Sequence, residues 1–263
     1  MNKKPINNPT KTTKINNKND EQRIYGENAV AAIFKNRPQD IIQFFYTKNL
    51  TKSKPQLIRE MTTYLAKNKK SYHMVSSEEI AKLTKATHHE DICLLIKKKK
   101  DISFDQFLQN HQQKRCLILM LDNVSNPHNI GAILRTAAHF GASALIISDK
   151  KVAETSSSIR VSEGGFEFVH VFGEENQIEV LKKLKSHKFQ IITTSSHSSK
   201  NLSEIKWNQK AVIVFGEEAN GMSKELMNAG ECINIQGTGN VESLNVSVAA
   251  SILMYDYFAK IKN

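Results

Sequence analysis

The sequence predicts an α/β protein, with a mostly parallel sheet in its C-terminal half preceded by a smaller α/β module. Three observations carry the prediction. From Cys116 onward, continuous apolar runs of strand length alternate with helix-spaced patterns, as expected for strands buried on both faces beneath covering helices. Between Ile24 and Ile96 a shorter alternation of the same kind stands apart. The chain closes on Gly237 to Tyr257, "GTGNVESLNVSVAASILMYDY", a glycine-containing loop running into a long apolar helix. Such junctions offer unpaired backbone N–H groups to a ligand. They are also ordinary α/β punctuation.

Length and composition bound the possibilities. The 263 residues suffice for one large domain or two modest ones, and 40% hydrophobic with 24% charged residues is ordinary for a soluble globular chain. The net charge of +11 and pI near 9.4 favour a polyanionic partner such as RNA, although a lysine-rich composition alone gives the same balance. No apolar run approaches the roughly 18–20 residues of a membrane span, and the N-terminus lacks the apolar core of a signal peptide. A cytoplasmic protein with no membrane contact is expected. Cys93, Cys116 and Cys232 lie singly in apolar segments and read as buried thiols without metal-ligand spacing. The histidines form no chelating cluster, so no metal is expected.

In chain order, residues 1–20 are polar and rich in Asn, Thr and Lys, and read as a disordered basic tail. Residues 21–97 form the small module. Helical spacing covers Asn28–Asn36, Ile41–Tyr46 reads as a strand, and Pro55 opens a helix through Leu65. Tyr72–Val75 is a short strand, Ser76 or Ser77 caps a helix around Glu78–Leu83, and Ile92–Ile96 is a further strand. The Lys97–Lys100 run closes the module where an RNA strand could cross, though such runs are usually solvated boundaries. Residues 98–114 read as a short helical linker with Phe104, Phe107 and Leu108. From 115 to 263, strands are expected at Cys116–Leu121, Ala144–Ser148, Phe168–Phe172, Gln190–Thr194, Ala211–Phe215 and Cys232–Ile235. Helices are expected at Ile130–Phe140, Glu175–Lys185, Ser223–Asn228 and Ser243–Ala259.

Three segments sit at C-terminal ends of expected strands, where ligands collect in open α/β sheets. In Leu121 to Ala142, Asn129 lies at the helix start, Arg135 within the helix, and Gly141 where a left-handed stop belongs. Arg135 is either a surface residue or a phosphate clamp, which its planar fork suits. In Ala211 to Leu226, a strand runs into Gly216, two carboxylates, Gly221 and a Ser-capped helix. Met222 stands where a phosphate loop needs Lys, and no G-x-G-x-x-G follows a strand, so nucleotide hydrolysis and a dinucleotide fold are disfavoured. The third segment is Gly237 to Tyr257, where Ser243 is read as the helix cap.

Together these resemble the three motifs of the SpoU/TrmH family, ribose methyltransferases of the SPOUT superfamily. "NPHNIGAILRTA", "FGEEANGMS" and "ESLNVSVAAS" occur in family order, and the likeness runs from about Leu117 to Phe258. The preceding module resembles the family's small α/β substrate-binding domain, with "YGENAVAAIF" as its opening helix. "RVSEGGFEFV" looks like the intermediate segment, with Glu163–Gly164–Gly165 where Ala-Gly-Ala is common.

The resemblance implies a SPOUT fold with a deep trefoil knot, an exception to unknotted topology. It also implies S-adenosyl-L-methionine as cofactor, an RNA substrate (tRNA or rRNA) and a homodimer with active sites near its interface. Carried over by motif position, cofactor binding falls to Thr194, Gly216, Ile235 and Leu244. Catalytic roles fall to Arg135, Asn129, Glu218, Ser243 and Asn245. In the family the equivalent of Arg135 is proposed to take the 2′-hydroxyl proton. A guanidinium with pKa above about 12 is a poor base, so a phosphate clamp that also steadies the developing alkoxide is preferred. Asn129 and Ser243 read equally as helix caps. The expected activity is RNA 2′-O-ribose methylation. A non-catalytic RNA-binding protein of this fold and a base methyltransferase remain alternatives.

Overall fold

The computed structural model describes residues 20–217 and 221–261. The expected tail up to residue 19, and Glu218, lie outside the described residues.

The N-terminal module consists of β1 (Glu21–Tyr25), α1 (Glu27–Asn36), β2 (Ile41–Tyr46), α2 (Lys48–Ser53), α3 (Pro55–Lys67), β3 (Ser71–Met74), α4 (Ser77–Thr84) and β4 (Ile92–Lys97). Its sheet has the order β1-β4-β2-β3. β4 runs antiparallel to both β1 and β2, and β3 is parallel to β2. Local chemistry sets the boundaries. Pro55 begins α3, where its missing N–H is not needed, and Ser76 with Glu79 forms a reciprocal capping box on α4. Two elements carry no periodic signal. β1 opens with Glu-Gln-Arg and is defined by its pairing with β4; α2 is a polar helix whose cap, Thr47, accepts from the Leu50 N–H.

The second half contains α5 (Phe104–Asn110), β5 (Cys116–Leu121), α6 (Pro127–Phe140), β6 (Ala144–Ile147), α7 (Lys150–Ala153), α8 (Ser156–Val161) and β7 (His170–Gly173). It continues through α9 (Gln177–Ser186), β8 (Gln190–Thr194), β9 (Lys210–Phe215), α10 (Lys224–Met227), β10 (Glu231–Ile233) and α11 (Val246–Lys260). The six strands form one parallel sheet in the order β10-β8-β9-β5-β6-β7. Period-two alternation sorts the side chains of β5. Leu117, Leu119 and Leu121 pack with α6 and α11, whereas Cys116, Ile118 and Met120 pack with α5, α9 and α10. Both faces are therefore covered, as continuous apolar strands require.

Several expectations need correction. β7 begins at His170, leaving Phe168 outside the strand and 58% exposed. β10 ends at Ile233, and α11 begins at Val246 rather than Ser243. Cys232 is half-buried, not buried like Cys93 and Cys116. α5 packs Phe104, Phe107 and Leu108 against the underside of the sheet. The short α7 and α8 carry no clear helical periodicity in sequence.

The two halves are joined by packing and by polar bonds. Core residues of the small module and those beneath α6 and α11 belong to one continuous apolar cluster. Arg37, at the end of α1, grips Glu167 bidentately at 2.7 and 3.1 Å, and its third nitrogen donates to the Lys97 carbonyl at 2.8 Å. Burial opposes the Arg37 charge, but the bonds and attraction of Glu167 and Asp40 outweigh it and raise its pKa. Asn28 donates to the Glu163 carboxylate, and Ser156 to the Arg23 carbonyl. The Gly164–Gly165 pair lets a 3-10 turn, Gly165–Glu167, fit between the halves. Gly164 has φ +87°, and a Cβ there would lie 2.6 Å from that of Ala32 on α1. At Gly165 a Cβ would lie 2.9 Å from the Arg135 Cα on α6. The departure from Ala-Gly-Ala thus falls where two helices press on one turn.

Candidate active site

Parallel strands send all their following loops to one edge of the sheet, and the motif residues gather there. β5 ends at Leu121. The next residue, Asp122, is buried; one carboxylate oxygen accepts from the Ser223 N–H at 3.2 Å and the other from the Asn123 side chain at 3.0 Å. One carboxylate thereby ties the first motif to the second. Gln177, also buried, donates to the Leu121 carbonyl at 2.8 Å and steadies the strand end from below.

α6 starts at Pro127 and is capped by Asn126, which accepts from the His128 N–H at 2.9 Å. Asn129 is therefore the third helical residue and not the cap. Its position serves a different contact: Asn245 donates from Nδ2 to Asn129 Oδ1 at 3.1 Å. Asn245 itself is the cap of α11, accepting from the Ser247 N–H at 2.9 Å. Ser243, expected to cap that helix, lies two residues earlier and is exposed. The first and third motifs are thus joined side chain to side chain, across 116 residues of sequence. Further along, Ser251 of α11 donates to Thr136 of α6 at 3.3 Å, keeping the two helices in register.

Arg135 is exposed on α6, and no described residue bonds its guanidinium. It stands six residues past Asn129, about 9 Å along the axis and roughly a third of a turn round it. Asn129 and Asn245 are brought together; Arg135 is not brought to them within one chain. Glu218 lies outside the described residues.

The four expected cofactor positions lie on neighbouring strand ends and the loop that follows. Thr194 ends β8, and its hydroxyl donates to the Val214 carbonyl at 3.0 Å. Gly216 follows β9; a Cβ there would lie 2.5 Å from Gly221 C and Met222 N, so the loop closes only because it is glycine. The closure includes the Gly221 N–H donating to the Glu217 carbonyl at 2.9 Å. Ile235 follows β10 and packs half-buried against the core, while Leu244 is 41% exposed ahead of α11. These positions offer backbone groups and apolar side chains without charge, a donor set that suits a neutral heteroaromatic ring.

Sequence reading does not single out Asp122, Asn126 or Gln177. Asp122 carries a signal in retrospect, being a carboxylate directly after six apolar strand residues at the ligand-collecting edge. Gln177 carries none. Among the described residues, no cluster of His, Cys, Asp or Glu could hold a metal ion, and no helix is long and apolar enough to cross a membrane.

Comparison with known proteins identifies the family. Residues 116–255 match the SpoU rRNA Methylase family, and residues 23–101 match the RNA 2'-O ribose methyltransferase substrate-binding family. An uncharacterized tRNA/rRNA methyltransferase of Escherichia coli O157:H7 is 34% identical over 244 residues, covering 92% of this chain and 69% of that protein. The crystal structure of an RNA 2'-O ribose methyltransferase aligns with TM-score 0.77 at 20% identity, over 92% of this chain and 89% of that one. AviRb, a SpoU methyltransferase of Streptomyces viridochromogenes solved in complex with the cofactor AdoMet, aligns with TM-score 0.73 at 18% identity, over 92% and 91% of the two chains. With more than half its length matched to one family and the preceding module to that family's substrate-binding partner, this chain is a member of the SpoU family of RNA methyltransferases.

Proposed function

We propose that this protein transfers a methyl group from S-adenosyl-L-methionine to the ribose 2′-hydroxyl of a nucleotide in tRNA or rRNA. The observation that carries the reading is the Asn245–Asn129 bond, which assembles the first and third motifs at the sheet edge where the second motif also ends. Residues 115–263 then form the catalytic domain and residues 21–97 hold the RNA, joined through 98–114 and preceded by a basic tail over 1–20. A cytoplasmic location is consistent with this reading.

The cofactor, when bound, supplies an electrophilic sulfonium methyl. Thr194, Gly216, Ile235 and Leu244 hold it through backbone groups and apolar contact, and the closing loop is knotted. The chain must then align a 2′-hydroxyl in line and ease its proton loss. Arg135 clamps the target phosphate and steadies the oxygen as charge develops on it. Asn129 and Asn245 fix the loops that shape the nucleotide pocket, to which Ser243 contributes, and Glu218 serves catalysis by positioning Arg135.

Arg135 and the Asn129–Asn245 pair are separate within one chain, and a second copy can bring them together. Val248, Tyr255 and Phe258 on α11 are 47%, 61% and 46% exposed, and Phe140 packs its ring against the last two. This aromatic face suits a homodimer contact.

Labelled S-adenosylmethionine incubated with unmodified bulk tRNA and rRNA tests the reading. Transfer to one RNA class is expected. No transfer to either class, with RNA bound and no cofactor binding, would instead identify a non-catalytic RNA-binding protein.

A further inference from the structure

We propose that Phe168 is a stacking platform for an unpaired nucleotide of the substrate RNA, flanking the one held at Arg135, with Lys98 and Lys100 taking its phosphates. The inference rests on the RNA reading above and names where that RNA runs.

Phe168 is 58% exposed. It is held there by a turn with little freedom to move. The Phe168 N–H donates to the Gly165 carbonyl at 3.0 Å, closing the 3-10 turn. Gly165 lies so near the backbone of Arg135, and Gly164 so near Ala32, that a Cβ at either position would clash. Glu167 is gripped by Arg37, and its carbonyl accepts from Lys99 Nζ at 3.0 Å. A large apolar side chain thus lies in water on a segment pinned from both halves of the molecule.

Placement ties the ring to the site. Turn ends bonded i to i+3 lie within about 7 Å, and the Gly165 Cβ position is 2.9 Å from the Arg135 Cα. A strand bound at Arg135 and leaving toward the small module therefore passes Phe168. Charge agrees with an RNA occupant. Lys98 and Lys100 flank Lys99, are exposed, and meet no described carboxylate at salt-bridge distance. An exposed aromatic residue, with exposed lysines on the segment that bonds the same turn through Lys99, suits single-stranded RNA, because every base has a face to stack and every linkage a charge to meet. The other exposed aromatic residues differ. Tyr255 and Phe258 contact Phe140, whereas no described ring stacks on Phe168. Tyr72 lies on β3, at the sheet edge opposite β1, the strand that meets α8.

The test uses the full chain, a fluorescein-labelled single-stranded oligoribonucleotide, and bulk unmodified tRNA and rRNA. Anisotropy should show Phe168→Ala binding RNA about tenfold more weakly, and Phe168→Trp within about twofold of wild type. Lys98→Gln with Lys100→Gln should flatten the dependence of log affinity on log salt, by about 0.7 for each single-strand phosphate that is no longer neutralised. Equal affinity in Phe168→Ala and wild type overturns the proposal while methyl transfer by the wild type leaves the parent reading standing. Failure of Phe168→Trp to rescue also overturns it, since stacking is then not what the ring supplies. A Phe168→Ala chain that loses a dimer in light scattering reassigns the ring to a protein contact. Wild-type protein that neither binds nor methylates RNA removes both readings together.

Discussion

Asp122 shows how one side chain organises a site without touching a substrate. Its two carboxylate oxygens each accept a bond, one from the second motif and one from the neighbouring Asn123. Asp122→Ala removes a part-buried, charge-assisted bond to the N–H of exposed Ser223, at a cost of about 1.5 kcal/mol. Urea unfolding should report that loss, with activity falling further than stability because the second motif loses its anchor. Burial pushes Cys93 up from 9.0 to about 12 and Cys116 to about 11. Both thiols should resist a thiol reagent in the folded protein at neutral pH, where half-buried Cys232 reacts first. Because the folded values are raised, the neutral thiols contribute stability that is fully present below pH 9.0 and lost as pH rises toward about 12. Chemical unfolding across that alkaline range, compared with Cys93→Ala, checks the sign.

Among elements, α11 carries the sharpest prediction. Its cap, Asn245, uses Oδ1 for the helix and Nδ2 for Asn129. Asn245→Asp keeps a cap oxygen and removes the donor, so thermal stability should stay near wild type while methyl transfer falls. Asn245→Ala loses both and should cost about 1 kcal/mol in addition. If the Asp variant is fully active, the bond between motifs is structural only. The same helix shows where sequence reading stops. Its buried face, with Val246, Ala250, Leu253 and Met254, is legible from helical spacing. Its first residue is not, because Ser243 and Asn245 are both good caps and only the path of the loop decides which one reaches an N–H. Central strand β5 matches its apolar run residue for residue, since burial on both faces leaves no polar gap, and β8 keeps the expected bounds although Gln190, Thr193 and Thr194 are polar. β1 is hidden because its first three residues are polar and its pairing with β4 comes from distant sequence. The candidate site is legible by motif, but Asp122, Asn126 and Gln177 act through contacts that spacing does not encode.

The whole molecule is two α/β modules locked by a buried ion pair. The side chains of Arg37 and Glu167 are 10% and 3% exposed. Removing one partner of such a pair strands the other charge and costs about 3–5 kcal/mol. Glu167→Gln should therefore destabilise strongly in urea, and Arg37→Met with Glu167→Leu should recover much of the loss. Unchanged stability in the single variant would show that this ion pair does not lock the modules. The position of the transferred methyl distinguishes ribose from base chemistry. RNA labelled by the protein from S-adenosylmethionine is digested in alkali, with Arg135→Ala in parallel. A 2′-O-methyl blocks cleavage of the adjoining phosphodiester, so label in alkali-resistant dinucleotides, absent from the variant, is the predicted result. Label in ordinary mononucleotides would contradict the account and move the methyl to a base.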